Sequence, residues 1–283
     1  MSEAVLVTSA GRGRLSRVEQ VMGMPILIEV CDMDTDEAAI ERVYRWLRYV
    51  DTTFSTYDAS SEISRLNRGE LKLADTSLAV RSVLGRCASL RERTDGFFDS
   101  CASMPGGGVD PSGLVKGWSL LGGARLLEQA GARNFCIDAG GDIIVRGHAP
   151  QGGPWRIGIA HPLQRDAIAC TVALSDAAIA TSGAYERGAH VIDPHTGAAP
   201  TGLLSATAIG LDITVADAFA TAAFAMGRDA PQWCARQQGW EFMLVTEDEQ
   251  VLTTAGFEQY RVREPLEIAS TPPPSRSGSI TQS

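Results

Sequence analysis

Two segments in the last part of the chain carry side chains that could do chemistry together. Residues 190–197 read HVIDPHTG and contribute the imidazole of His190, and residues 216–221 read ADAFAT and contribute Asp217 and Thr221. The alanine-rich stretch around residue 217 predicts a helix, in which side chains four residues apart leave the same face one turn apart. Oxygen ligands arranged in this way suit a hard cation such as Mg²⁺, which also keeps positions for water and substrate phosphates.

The same three side chains also have structural interpretations. Asp217 could be a carboxylate near the start of its helix, where the helix dipole favours negative charge. Thr221 could bond to its own helix backbone, and a single histidine is more often structural than catalytic. Taken alone, these residues leave both interpretations open.

Composition narrows the class of protein. The chain has 283 residues, of which 44% are hydrophobic, so it can bury one large core or two modest ones. A net charge of -9 disfavours a nucleic-acid partner. The start of the chain lacks the apolar core of a signal peptide, and no later stretch reaches the roughly 18 to 20 apolar residues of a membrane helix. We therefore expect a cytoplasmic protein with no membrane anchor in this chain, and six reduced cysteines.

Other segments could contact an anionic or planar ligand. Residues 110–117 read DPSGLVKG and place Asp110 and Lys116 at a predicted helix start, where backbone amides and an ammonium group can bind phosphate. Residues 138–142 (DAGGD) and 180–187 (ATSGAYER) offer glycines and hydroxyls. Tyr57 could stack on a planar ligand. The alternatives are an ordinary helix start with a surface lysine, simple turns, and a packed tyrosine.

Hydrophobic periodicity and turn residues predict an α+β fold. Helices are predicted at 35–50, 76–93, 113–130 and 214–226. Strands are predicted at 24–31, 134–138, 142–146, 155–160, 169–174, 178–181, 190–192 and 206–209, with a hairpin of 241–245 and 250–253. Glycine-rich connections between the strands favour antiparallel or mixed sheets with packed helices.

The same patterns predict the domain organisation. Residues 1–18 are expected to be flexible, 19–268 to form the folded domain, and 269–283, which begin near three consecutive prolines, to form a disordered tail. The sequence MPGGG at 104–108 joins two lobes or forms a loop inside one domain.

Taken in order, these segments resemble the FAD:protein FMN transferase family, also called the ApbE family of flavin transferases. The resemblance covers about residues 21–227. Each piece is short, but their shared order is specific and favours the chemical interpretation of each. The pieces are MGM at 22–24, FSTY at 54–57 with EISRLN at 62–67, GFFD at 96–99, DPSGLVKG at 110–117, GGD at 140–142, ATSG at 180–183, HVIDPHTG at 190–197 and ADAFAT at 216–221.

The resemblance implies a two-lobed ApbE-like architecture and an enzyme that takes FAD as its substrate. Such an enzyme cleaves the FAD pyrophosphate with Mg²⁺, transfers FMN to a Ser or Thr hydroxyl of an acceptor flavoprotein through a phosphoester bond, and releases AMP. By position, Asp217, Thr221 and the backbone carbonyl of Gly113 correspond to the magnesium ligands. His190 corresponds to the catalytic histidine that accepts the proton of the acceptor hydroxyl. The residues that correspond to FAD contacts are Met24, Tyr57, Asp110, Lys116 and Ile192.

The chain also departs from the family pattern. Only ten residues separate Asp99 from Asp110, fewer than in longer members, and the sequence after Phe98 is altered. Many family members carry an export signal, which is not evident here. Two alternatives keep the same pocket: an FAD pyrophosphatase that produces FMN and AMP, and a non-catalytic flavin-binding protein.

Overall fold

Helices and strands follow one another in a mixed order along the chain. A computed structural model describes residues 4–6, 14–32, 35–102, 108–164, 166–183 and 191–263. The strands are β1 (Ala4–Leu6), β2 (Leu15–Val21), β3 (Met24–Val30), β4 (Phe135–Ala139), β5 (Asp142–Arg146), β6 (Trp155–Ala160), β7 (Ile168–Leu174), β8 (Ala178–Gly183), β9 (Leu203–Gly210), β10 (Glu241–Thr246) and β11 (Val251–Thr253). The α-helices are α1 (Glu37–Phe54), α2 (Glu62–Asn67), α3 (Leu78–Arg93), α4 (Ser112–Gln129), α5 (Ile213–Met226) and α6 (Ala230–Cys234).

Most strands belong to one large sheet. It has eight strands in the order β11-β10-β9-β8-β5-β4-β3-β2, and a second sheet has the order β1-β6-β7. All of these neighbouring strands pair antiparallel. The predicted α+β class with packed helices is therefore confirmed, and the sheets are of the antiparallel kind.

The central strands of the large sheet are buried on both faces. Because successive side chains of a strand point to opposite faces, Ile137 of β4 joins the cluster formed with the helices, and its neighbour Cys136 joins the cluster formed with β6 and β7. The helix-side cluster also contains Val43 of α1 and Leu120 of α4. The core is therefore continuous across the segment 104–108, of which residues 104–107 lie outside the described part of the chain.

Helix α5 is buried on almost every side. It begins after Asp212, whose carboxylate accepts a hydrogen bond from the Thr214 amide, and it ends at Gly227, where φ is +58°. Small side chains such as Ala216 and Ala220 let it lie close between α4 and strands β8 and β9. Although α5 is strongly apolar, none of the helices in the described ranges combines the length and apolar character needed to cross a membrane.

Most predicted elements are present with shifted ends. The four predicted helices correspond to α1, α3, α4 and α5, and the terminal hairpin is β10 with β11. The strand predicted at 190–192 is wrong for Val191 and Ile192, which lie in irregular backbone, and residue 190 is outside the described ranges.

Four described elements were not predicted: β1, β2, α2 and α6. Helices α2 and α6 are too short to give a helical period in the sequence. Strand β2 begins at Leu15, ahead of the predicted domain start at residue 19, because its backbone pairs with β3 along its whole length. The tail predicted to be disordered, 269–283, lies beyond residue 263, the last one described.

The six cysteines are free thiols. Burial raises the pKa of Cys87 and of Cys234 to about 12. These two thiols therefore remain protonated at neutral pH, and their contribution is to packing.

Candidate functional site

Helix α5, which carries two of the three predicted metal ligands, crosses the first turns of α4. The carboxylate of Asp217 is buried, and its Oδ2 accepts a 3.0 Å hydrogen bond from the backbone amide of Gly117. In a regular α-helix the amide of residue 117 points toward the carbonyl four residues earlier, which belongs to Gly113. The hydrogen bond therefore brings Asp217 to the turn of α4 that contains Gly113.

Gly117 permits this approach because it has no side chain. A Cβ atom at residue 117 would lie 2.6 Å from the carbonyl oxygen of Ile213 and 2.9 Å from the Cα atom of Thr214. Both are backbone atoms of the first turn of α5, so they cannot rotate away as a side chain would. Glycine at this position is required for the close packing of α4 on α5, which also sets the position of Asp217.

Thr221 lies one turn after Asp217 and is half-buried. Its Oγ1 is 3.2 Å from Oγ of Ser182, near the end of β8. Residues 217 and 221 do lie in one helix, as predicted. The residue that caps the start of α5 is Asp212, and Asp217 instead accepts a hydrogen bond from α4. The Thr221 hydroxyl contacts Ser182 of the sheet, which its interpretation as a side chain bonded to its own helix backbone does not explain.

Lys116 and Asp142 form an ion pair at the same crossing. Lys116 Nζ lies 2.9 Å from Asp142 Oδ2, and the side chains are 19% and 2% exposed respectively. Asp142 directly follows the glycines at 140 and 141, so the pair joins two motifs that are far apart in sequence. Lys116 is therefore not the ordinary surface lysine that was the alternative interpretation.

A second carboxylate in the same turn has a displaced pKa. Half-buried Asp138 accepts a 2.9 Å hydrogen bond from the amide of Gly141. Burial raises the pKa of Asp138 to about 6, and the negative charge of Asp142 raises it further. The hydrogen bond from the Gly141 amide and the positive charge of Lys116 act in the opposite direction. Lys116 thus lies in the field of two carboxylates, of which Asp142 is the direct partner.

The residues predicted to contact FAD occupy different surroundings. Met24 lies beside the glycine turn, with its Sδ 3.5 Å from where a Cβ of Gly140 would be. Asp110 accepts a 3.0 Å hydrogen bond from the Ser112 amide at the start of α4, the helix that carries Lys116. Tyr57 is 97% exposed between α1 and α2, so the interpretation as a packed core residue is wrong. Ile192 is half-buried, and among the described residues no hydrogen bond or ion pair links Tyr57 or Ile192 to Lys116 or Asp217.

The predicted catalytic residue, His190, lies outside the described residues. The remainder of its motif is attached to the GFFD segment at 96–99. Nε2 of His195 is 3.0 Å from the carbonyl oxygen of Asp95, and its ring packs edge-on against Phe97 with centroids 4.4 Å apart. Two motifs that the sequence separates by about a hundred residues are thus adjacent in the fold.

Sequence reasoning missed three residues that hold the site together. Ser182 contacts Thr221, and Asp142 pairs with Lys116. Asn67 donates to the carbonyl of Val109 at 2.9 Å and accepts from its amide at 2.8 Å, which secures the residue before Asp110. Each of the three lies within a segment already singled out, but its partner depends on the tertiary fold.

The arrangement has the donor chemistry that a hard cation needs. The crossing of α4 and α5 gathers a buried carboxylate and a hydroxyl, and the turn with the Gly113 carbonyl adjoins them. Mg²⁺ binds oxygen ligands and usually takes only a few from the protein. Within the described ranges, no group of three or more His, Cys, Asp or Glu side chains could hold a metal. The predicted ligand set needs only one such side chain, so the residues present fit the ion.

Fold and site together define a class of protein: an antiparallel α+β domain in which one helix crossing collects oxygen donors beside a lysine. The ApbE family model matches residues 22–104 and 102–244. The chain therefore belongs to the ApbE family.

Curated relatives of this chain bear the name FAD:protein FMN transferase. One from Klebsiella pneumoniae is 35% identical over 152 residues, covering 50% of this chain and 43% of the relative. One from Escherichia coli K12 is 31% identical over 150 residues, again covering 50% of this chain and 43% of the relative. The chain thus spans less than half the length of these relatives.

Solved structures of ApbE proteins share the fold. The flavin transferase ApbE from Vibrio cholerae superposes with a TM-score of 0.77 at 22% identity, covering 87% of this chain and 99% of that one. The ApbE protein from Thermotoga maritima gives a TM-score of 0.80 at 22% identity, covering 88% and 99%. At this identity the likeness establishes the architecture.

Proposed function

We propose that this chain is a Mg²⁺-dependent FAD:protein FMN transferase, which moves FMN from FAD to a Ser or Thr hydroxyl of an acceptor flavoprotein and releases AMP. Membership of the ApbE family and the names of the relatives support the reaction. The observation that carries the proposal is the hydrogen bond from the Gly117 amide to Asp217, because it joins the helix that carries Asp217 and Thr221 to the helix that carries Gly113.

Asp217, Thr221 and the carbonyl of Gly113 are the residues that would hold Mg²⁺. Asp217 supplies the negative charge, and its burial keeps competing water away from it. The bound ion would neutralise charge that develops on the pyrophosphate oxygens as the bond between the two phosphates breaks. The amide of Gly117 holds the Asp217 carboxylate in position for this role.

Lys116 is the group proposed to bind the phosphates of FAD. Its ammonium lies 2.9 Å from Asp142 Oδ2, beside the glycine turn at residues 140 and 141. Its pairing with Asp142 restricts its rotamers, which lowers the entropy cost of binding an anion. Asp110, Met24, Tyr57 and Ile192 are proposed as further contacts to FAD, and exposed Tyr57 can offer a ring face to the flavin.

The proposed chemical step exchanges one phosphorus–oxygen bond for another. His190 accepts the proton of the acceptor hydroxyl, because a neutral imidazole is a suitable base near pH 7. The hydroxyl oxygen attacks the phosphorus of the FMN half, and the bond from that phosphorus to the AMP phosphate oxygen breaks. FMN is then joined to the acceptor by a phosphoester, AMP departs, and His190 returns its proton to solvent.

The acceptor is proposed to be a separate protein. Thr181 in β8 and Thr207 in β9 are buried and hydrogen-bonded to each other, so neither presents a hydroxyl for self-modification. A cytoplasmic location for the enzyme and its acceptor remains a prediction from the sequence.

The test is a single assay with two readouts. The protein is incubated with FAD and a Ser- or Thr-bearing acceptor peptide, with or without Mg²⁺, and we measure AMP and the flavin fluorescence of the denatured peptide. We expect both signals only with Mg²⁺. AMP accompanied by free FMN alone would identify a pyrophosphatase, and bound FAD without AMP would identify a non-catalytic flavin-binding protein.

Asp217→Asn isolates the role of the carboxylate charge. Asparagine can still accept the Gly117 hydrogen bond, so the helix crossing is preserved while the anionic ligand is lost. We expect AMP release to fall by about a hundredfold or more, which is several kcal/mol of transition-state stabilisation. Asp212→Asn is the matched control, because asparagine caps a helix as well as aspartate does. Equal turnover of Asp217→Asn and the control would contradict the proposed metal role.

A further inference from the structure

One hydroxyl at the site, that of Ser182, has no role in the reaction described above. Oγ of Ser182 lies 3.2 Å from Oγ1 of Thr221, and the Ser182 side chain is only 6% exposed. Ser182 belongs to β8, which packs directly against α5. The pair therefore links the sheet to the turn of α5 that follows Asp217.

A threonine hydroxyl has one hydrogen and two lone pairs. When its oxygen binds a cation, the positive charge repels the hydrogen, so the O–H bond must point away from the ion and needs an acceptor there. Ser182 Oγ is within hydrogen-bond distance on the sheet side of Thr221. Without it, the hydrogen would turn to another acceptor, such as the helix carbonyl four residues earlier, and the oxygen lone pairs would turn with it.

We infer that Ser182 is a positioning residue for the metal site: it accepts the Thr221 hydroxyl hydrogen and thereby directs the Thr221 oxygen toward the cation. The inference rests on the proposed function, since it requires Thr221 to be a metal ligand. Partners that orient metal ligands typically contribute 10- to 100-fold to metal affinity. Because the helix carbonyl offers Thr221 a substitute partner, we expect an effect near the lower end, about tenfold.

The chain provides a matched control one residue away. Thr181 precedes Ser182 in β8, and its Oγ1 is 2.9 Å from Oγ1 of Thr207 in β9. This pair is also a buried hydroxyl–hydroxyl contact, with side chains that are 3% and 0% exposed. Because adjacent strand residues point to opposite faces, Thr181 lies on the other side of β8 from Ser182. Removing its hydroxyl disturbs the same strand without touching Thr221.

The experiment measures binding of Mn²⁺ alone to the full chain, by the electron paramagnetic resonance signal of the free ion, with Mg²⁺ as competitor. Mn²⁺ accepts the same oxygen ligands as Mg²⁺. Ser182→Ala is expected to raise the Mn²⁺ Kd about tenfold. Ser182→Cys, which keeps the size of the side chain but accepts hydrogen bonds weakly, is expected to act in the same direction. Thr181→Val is expected to remain within about twofold of the unsubstituted protein.

The outcomes separate this inference from the proposed function. If the unsubstituted protein binds one Mn²⁺ and the Asp217→Ala variant does not bind it, the metal site of the proposed function is supported. Equal affinity of Ser182→Ala, Ser182→Cys and the unsubstituted protein would then overturn the role of Ser182 alone. Equal weakening by Thr181→Val would also overturn it, because the effect would belong to the strand as a whole. If the unsubstituted protein binds no Mn²⁺, the metal role in the proposed function fails, and the inference fails with it.

Discussion

Two polar networks hold different parts of the molecule together, and they differ mainly in burial. The site network consists of the ion pair of Lys116 with Asp142 and the hydrogen bond from the Gly117 backbone amide to Asp217. The surface network consists of Arg17, Glu19, Glu41 and Arg48 and links β2 to α1. In the site network, Asp142 is 2% exposed, whereas the Arg48 and Glu41 side chains of the surface network are 45% and 37% exposed.

The difference shows that the number of ion pairs does not measure their importance. The surface network has four ion pairs, each formed by an arginine that is 44% or 45% exposed, and pairs whose charges water can reach contribute little to stability. The site network includes an ion pair and a carboxylate–amide hydrogen bond, and removing a partner there would take an interaction away from a buried polar group. Substitutions in the two networks should therefore have effects of very different size.

The largest loss of stability is expected where the site network depends on backbone contact. Gly117→Ala would place a methyl group 2.6 Å from the Ile213 carbonyl oxygen, so α4 and α5 must separate. We expect a loss of about 3 kcal/mol in the free energy of unfolding, measured by urea denaturation, together with weaker metal binding. Gly85→Ala is the control, because a Cβ there has no atom within 4 Å in the middle of α3. That control should gain up to about 1 kcal/mol from helix propensity, and a loss comparable to that of Gly117→Ala would contradict the steric explanation.

Asp142→Asn tests the ion pair of the site network itself. The substitution keeps the shape of the side chain but leaves Lys116 without its direct counter-charge in a poorly solvated position. We expect a loss of about 2 kcal/mol in unfolding free energy, measured by denaturant unfolding at pH 7. Asp142→Glu keeps the charge and serves to separate charge from shape. An unchanged stability of Asp142→Asn would mean that Lys116 is solvated as freely as the surface arginines.

Asp138, which lies beside the site network, should give stability a pH dependence near pH 6. Its pKa is raised to about 6 in the folded protein, against 3.8 ordinarily, so folding favours the protonated form. That favourable contribution is complete below about pH 4 and is lost as the pH rises through 6. Asp138→Asn, which stays neutral and can still accept the Gly141 amide, should therefore be more stable than the unsubstituted protein at pH 7.5 by about 1 to 2 kcal/mol.

The same comparison made at pH 4 provides the control for Asp138→Asn. At that pH the carboxyl group is protonated in the folded protein and about two-fifths protonated in the unfolded chain, so most of the stability difference should be gone and the two proteins should unfold at similar denaturant concentrations. A stability difference that is equal at pH 4 and pH 7.5 would assign the effect to packing and would exclude titration of Asp138.

Features that have a local signature in the sequence could be predicted from it. Helix α5 was predictable because an apolar, alanine-rich stretch has a local signature, and the spacing of Asp217 and Thr221 within it follows from helix geometry alone. The antiparallel sheet followed from short strands with glycine-rich connections. Order of motifs was sufficient to indicate the family, although no single motif was.

Partners across the fold could not be predicted in this way. Gly117 and Asp217 are 100 residues apart, and nothing local at either position specifies the other. Helix α2 escaped detection because six residues do not establish a period, and with it the double hydrogen bond of Asn67 to Val109 was missed. Tyr57 could be interpreted either as packed or as exposed, since an aromatic side chain fits both settings until the surrounding helices are placed.

The smallest effect is expected in the surface network. Glu41 accepts hydrogen bonds from Arg17 and Arg48, and the hydrogen bond from Arg17 is the main cause of its lowered carboxyl pKa. In Glu41→Gln the amide oxygen can still accept from one arginine, Glu19 still pairs with both, and water solvates what remains. The unfolding midpoint of this variant should therefore match that of the unsubstituted protein, and added NaCl should not separate the two. A drop as large as that of Asp142→Asn would show that the surface network acts cooperatively in joining β2 to α1, and that exposure is not what distinguishes the two networks.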